Sequence, residues 1–196
     1  METLEKIFGS QHKAKVMKLF LFNPLATFDL ETVVKRVKGR APNIRRELNS
    51  LEKIKLVKKK ETRNIKGRKV AGFVLNQSFS HIGPLQDFLL KVSPFTNLEL
   101  VRKLGGAGRL KLVVISGVFL NDSDARVDIL VVGDKVKKNV LEKILVEVEA
   151  DLGREIKYAV MDSGDFEYRL SIGDKLVRDI FDYRHEIIFN KIGLVD

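Results

Sequence analysis

Ile44-Arg45-Arg46-Glu47-Leu48-Asn49-Ser50-Leu51-Glu52-Lys53-Ile54-Lys55-Leu56-Val57 is the stretch on which the reading of this chain turns. At roughly 100° per residue, Ile44, Leu48 and Leu51 fall on one side of a helix. Pro42, Arg46, Asn49 and Lys53 fall on the other, flanked by Asn43 and Arg45. The spacing predicts a helix over residues 41–53. Arginine pairs bidentately with guanine, and asparagine with adenine, in the major groove of duplex DNA. Asn43, Arg45, Arg46 and Asn49 are thus candidate base-reading residues. An ordinary surface helix also shows a basic outer face, so this helix does not decide the matter alone.

Its neighbours add weight. Upstream, residues 11–22 carry Val16, Leu19 and Phe20 at helical spacing, and Asn23-Pro24 ends that helix. A second helix is expected from Asp29, a candidate N-cap, with Leu30, Val33, Val34 and Val37 facing inward and Gly39 making the turn. Downstream, residues 56–63 and 69–75 read as two strands joined by a turn around Asn64-Ile65-Lys66-Gly67-Arg68. Lys53, Arg63, Lys66, Arg68 and Lys69 are candidate phosphate contacts, which position a protein on a duplex without reading its sequence.

Charge points the same way. Residues 1–76 hold 19 Lys or Arg against 7 Asp or Glu, whereas residues 77–196 hold 17 against 19. The whole excess of +10 therefore lies in the first two-fifths of the chain. Such concentration suggests a polyanionic partner, and the alternative on charge alone is a solvated charged surface. Three short helices followed by a hairpin with a basic tip resemble the winged helix-turn-helix of prokaryotic transcription regulators. The likeness rests on the string from Ile44 to Val57 together with the two earlier helices. It implies that residues 41–53 enter the major groove while the hairpin lies along the flanking backbone.

Residues 77–108 are expected to form a helical connection. Phe79, Ile82, Leu85, Phe88, Leu89 and Val92 make one apolar stripe, and Phe95, Leu98, Val101 and Leu104 a second, with Pro84 and Pro94 near their first turns. Gly105-Gly106-Ala107-Gly108 is glycine-rich but is not followed by the Lys-Ser or Lys-Thr pair of a P-loop.

From Arg109 the pattern becomes α/β. Strands are expected over residues 110–116, 127–133 and 155–161, with a short final strand over 185–189. Helices are expected over 135–151 and from Ser163, with Asp134 and Asp165 as caps. Ile115-Ser116-Gly117-Val118-Phe119 and Arg126-Val127-Asp128-Ile129-Leu130-Val131 resemble the core of polymerase-β-like nucleotidyltransferases. In active members of that superfamily a Gly-Ser pair holds the nucleotide phosphates, and an Asp-x-Asp pair holds the metal ions. Here Gly117 and Asp128 match, but Val118 stands where the serine should be and Arg126 where the first aspartate should be. The third carboxylate is missing near Lys157, and Asp122-Ser123-Asp124 reads as a solvated turn. The resemblance therefore implies a catalytically degraded domain without metal or cofactor. Gly117, Arg126 and Asp128 are a candidate nucleotide or phosphate site, with Lys111 or Lys157 nearby. The competing reading pairs Arg126 with Asp124 or Asp128 at the surface.

Other chemistries are excluded. The chain has no cysteine, hence no disulfide, thiolate zinc site or cysteine nucleophile. His12, His81 and His185 lack ligand spacing, and Ser116 lacks a G-x-S-x-G elbow. No stretch is apolar enough for a membrane span, and Met1–Lys6 has no secretory h-region. The sequence thus reads as an α+β chain. A winged helix occupies residues 1–76, a helical connection 77–108, and a small nucleotidyltransferase-like domain with a mixed sheet 109–196. The expected function is cytoplasmic, sequence-specific binding of double-stranded DNA as a transcription regulator. The expected assembly is a homodimer, and the expected task of the C-terminal domain is assembly or sensing of a small nucleotide. The alternatives are a metal-dependent nucleotidyltransferase and an antitoxin-like protein-binding adaptor.

Overall fold

A computed structural model describes residues 2–64, 66–92, 95–122 and 124–193. Ile65 of the expected turn, Pro94 of the expected second helix of the connection and Ser123 lie outside them. The chain is mixed α+β with two sheets, and it divides into two compact units. Met1–Pro94 with Val146–Arg154 form the first, and Phe95–Leu145 with Glu155–Asp196 the second.

In the first unit, helices α1 (Glu2–Phe8), α2 (Gln11–Leu21), α3 (Leu30–Val37) and α4 (Ala41–Lys53) follow in quick succession. Side chains satisfy backbone donors that a helix start leaves open. Ser10 Oγ accepts from the Lys13 N–H at α2, and Asp29 from the Thr32 N–H at 2.8 Å on α3. No side chain caps α4, but Pro42, which lacks an N–H, sits in its first turn. The apolar faces meet in one core that includes Phe20, Val33, Val37, Ile44, Leu48 and Leu51. The turn before α4 corrects the sequence reading. Lys38, not Gly39, adopts the left-handed conformation (φ 52°). Gly39 is needed for space, because a Cβ there would lie 2.5 Å from Ile44 Cδ1.

Strands β1 (Phe28–Asp29), β2 (Val57–Arg63) and β3 (Lys69–Leu75) form an antiparallel sheet in the order β1-β3-β2. The β2–β3 hairpin is the one expected. Its turn is organised by Asn64, whose Oδ1 accepts from the N–H groups of Lys66 and Arg68. Gly67, at φ 74°, supplies the left-handed residue that closes it. β1 was not foreseen, since two residues are too few to display an alternation.

Residues 77–108 do not form a separate connection. α5 (Ile82–Lys91) buries Leu89 in the first core, with Phe79, Ile82, Leu85 and Val92 packed against it. The first unit also takes in Val146–Arg154, which meets α2 through polar groups. Lys15 Nζ lies 2.9 Å from Asp151 Oδ1, and Asn23 Nδ2 donates to the Gly153 carbonyl at 2.8 Å. Lys18, only 1% exposed, donates to the Asp151 carbonyl at 3.2 Å.

The second unit begins with α6 (Asn97–Gly105), started by a reciprocal capping box between Thr96 and Glu99. Leu100 and Leu104 are its buried residues, while Leu98, expected inside, is 78% exposed. Either leucine suits an apolar stripe, and packing selects the pair four apart. Then follow β4 (Arg109–Ser116), a 3₁₀ turn (Gly117–Phe119), β5 (Ile129–Asp134) and α7 (Lys138–Leu152), whose residues from Val146 count with the first unit. β6 (Tyr158–Met161), α8 (Ser163–Ser171), α9 (Lys175–Asp182) and β7 (His185–Asn190) complete it. The sheet runs β6-β5-β4-β7 and is mixed: β4 is antiparallel to β5 and β7, and β5 is parallel to β6. Leu112, Val114, Leu130, Val132, Phe166, Val177 and Ile180 build its core.

Two expected caps are corrected. Asp134 is held in β5, where it pairs with Arg109, and accepts from Ser163 Oγ at 2.6 Å. That hydrogen bond holds its carboxyl below the usual range. α7 therefore starts only at Lys138. The residue capping α8 is Asp162, which accepts from the Asp165 N–H. Among the described residues, no helix is long and apolar enough to cross a membrane.

Candidate nucleic-acid interface

The interface is built on α4. With Ile44, Leu48 and Leu51 committed to the core, helical geometry turns Pro42, Arg45, Arg46, Asn49 and Lys53 outward. Together with Ser50 they line a shallow surface concavity of about 470 Å³. Asn43 is half-buried at its edge. All four candidate base-reading residues thus lie on one element, and three of them are exposed. The Arg46 side chain is 74% exposed, and its Nη2 lies 3.7 Å from Glu47 Oε1.

Glu47 was missed. It is buried, with Lys13 Nζ of α2 lying 3.9 Å from its other carboxylate oxygen. Its place was legible, because Ile44, Glu47, Leu48 and Leu51 follow the spacing of an inward stripe.

The hairpin sorts its cations by face. Residues directly opposite in an antiparallel pair project to the same side. Lys59, Glu61 and Arg63 share the side of Phe73, while Lys58, Lys60 and Thr62 share the other. Several cations have local partners: Lys59 pairs with Glu52 at 3.2 Å, Lys69 with Glu61 at 2.9 Å, and Arg63 donates to the Gly67 carbonyl at 3.0 Å. Lys66 and Arg68 are exposed at the turn. Of the five candidate phosphate contacts, Lys53, Lys66 and Arg68 are therefore the ones with neither an ion pair nor a side-chain hydrogen bond among the described residues.

The Gly117–Asp128 corner of the second unit is of a different kind. Asp128 is buried at the start of β5. Its Oδ1 accepts from the Val118 N–H at 2.8 Å and its Oδ2 from the Lys157 N–H at 2.7 Å. Its own N–H donates to the Lys157 carbonyl, and its carbonyl accepts from the Ser116 N–H. Ser116 Oγ donates to the Val127 carbonyl. One residue thus ties together the end of β4, the turn after it, the start of β5 and the approach to β6. Gly117 is bound to this arrangement twice over. Its φ is +52°, and a Cβ there would stand 1.9 Å from Asp128 Oδ1.

Arg126 does not join them. Its Nε lies 3.0 Å from Asp179 Oδ2, an ion pair without hydrogen-bond alignment, so its partner is neither Asp124 nor Asp128 as the sequence suggested. Lys111 lies 3.8 Å from Asp134, and the Lys157 side chain is exposed. No group of three His, Asp or Glu side chains that could hold a metal ion occurs among the described residues.

Comparison with protein-family models, with curated proteins and with solved structures found no match for the chain.

Proposed function

We propose that the chain binds double-stranded DNA in a sequence-specific way and acts as a transcription regulator, with the first unit working as a winged helix. One observation carries this reading: α4 buries its apolar side completely while Arg45, Arg46, Asn49 and Lys53 share its exposed side. The sheet order β1-β3-β2 and the exposed turn cations Lys66 and Arg68 support it. In this reading α4 lies in the major groove, Arg45, Arg46 and Asn49 reach base edges, and Asn43 supports them at the rim. Lys53, Lys66 and Arg68 hold phosphates, and Arg63 and Lys69 join them by exchanging their local partners for the backbone.

The mixed sheet and the approach of Gly117 to Asp128 support the likeness of the second unit to a nucleotidyltransferase core. Its chemistry argues against transfer. Two hard cations need several oxygen ligands, yet Arg126 and Val118 stand where a second carboxylate and a hydroxyl would be required, and each Asp128 oxygen already accepts a backbone N–H. The unit is therefore assigned to assembly of a homodimer or to sensing of a ligand, and the symmetry of a dimer would be matched by two half-sites.

The test is selection from a pool of random duplexes. A recovered consensus supports the reading, and an Arg46→Ala chain should lose its preference at one position of that consensus. Recovery of no sequence above the starting pool would contradict it.

A further inference from the structure

The carboxylate of Glu47 is out of place on physical grounds. It stands in the stripe of Ile44, Leu48 and Leu51, with its side chain 6% exposed, where a leucine would add to the core. A buried carboxylate costs stability unless cations or donors compensate it. Two cations approach it, one on each oxygen: Lys13 Nζ at 3.9 Å and Arg46 Nη2 at 3.7 Å.

The second contact is the informative one. Consecutive residues on a helix diverge by roughly 100° and do not ordinarily face each other. For the Arg46 guanidinium to approach Glu47, its side chain must lean toward that carboxylate. The surface is otherwise free to it, since Arg46 is 74% exposed. Resting on the DNA-binding reading above, we infer that Glu47 is a positioning residue that draws the Arg46 guanidinium to one part of the α4 face through an ion pair longer than a hydrogen bond. The guanidinium is a rigid planar fork. Held near Glu47, it offers its N–H groups to a guanine edge from a narrower range of positions. Lys13, from α2, balances the charge on the far oxygen and has no part in reading.

The experiment uses the full chain and the duplex recovered by selection, with a scrambled duplex as control. The ratio of the two affinities is measured for wild type, Glu47→Gln, Arg46→Ala, the double variant and Lys13→Met. Glu47→Gln is expected to lower the ratio about tenfold, by analogy with the loss of one bidentate pair, without changing the salt dependence. In the Arg46→Ala background it should lower the ratio no further, and Lys13→Met should leave it near the wild-type value. An unchanged ratio in Glu47→Gln, an equal loss in the Arg46→Ala background, or an equal loss in Lys13→Met overturns the inference.

A second measurement needs no variant. Nitrogen relaxation of the guanidinium Nε groups in the free chain should show Arg46 more restricted than Arg45, and equal mobility overturns the inference. If wild type selects no duplex, the DNA reading itself fails. If it selects one that Glu47→Gln binds with full preference, only the role of Glu47 is lost.

Discussion

The outward face of α4 and the Gly117–Asp128 corner both carry residues that a sequence reader marks for function, and they treat them in opposite ways. On α4 the polar groups project outward from a helix whose other side is occupied by the core, where a partner can meet them, Arg46 from beside Glu47. At the corner the polar groups are consumed by the backbone, with Asp128 holding two N–H groups and Gly117 making room for it. The same residue types serve recognition in one place and construction in the other. What separates them is the partner each atom already has.

The largest loss of stability is expected at the corner. If Asp128 is structural, Asp128→Ala strands two part-buried donors and should cost roughly 2–4 kcal/mol in urea unfolding. Gly117→Ala should destabilise by about 3 kcal/mol for its backbone conformation and the clash with Asp128. Wild-type stability in both variants would return these residues to the list of ligand-binding candidates.

A smaller effect sharpens the account of the first unit, where one charge is buried rather than displayed. Burial first, and Lys15 after it, lower the Lys18 pKa to about 8, against the opposing pull of Asp151. The folded chain then releases this proton near pH 8, whereas the unfolded chain keeps it until near 10.5. Below pH 8 the charged ammonium penalises the fold, and stability should rise across that window. Lys18→Met should stabilise the chain at pH 7 by roughly 1–3 kcal/mol and flatten the rise. Unfolding at pH 7 and pH 10 checks both, and a stability that falls across the window in wild type would contradict the assignment.

The binding face has gentler effects. Arg46→Ala should reduce preference for the selected duplex by roughly 30-fold, within the range for one bidentate contact. Replacing Lys66 and Arg68 by alanine should weaken binding to all duplexes alike and reduce the salt slope by about 2. A loss of preference in the turn variant, with preference intact in Arg46→Ala, would reverse the roles of helix and hairpin.

Much of the first unit was legible because its signals are local. Pro42 and the spacing of Ile44, Leu48 and Leu51 set α4 at the predicted residues, and alternation with a basic turn set the hairpin. What escaped was decided by distant contacts. β1 exists because Phe28 and Asp29 pair with Phe73 and Gly72. α7 starts late because Asp134 stays in the sheet opposite Arg109 and Lys135 turns the chain at φ 55°. At the corner the glycine and the aspartate were readable, but not their closeness across 11 positions of sequence. Nor was the pairing of Arg126 with Asp179, which lies on a helix the sequence reading had merged with its neighbour.

The most direct measurement is the affinity of the chain for a short duplex as a function of salt concentration. If α4 and the hairpin turn hold phosphates, the logarithm of the association constant should fall linearly with the logarithm of salt, with a slope of roughly −3 or steeper for the three unpaired cations and any that join them. An affinity that does not change with salt, or no binding at 50 mM salt, would contradict the account.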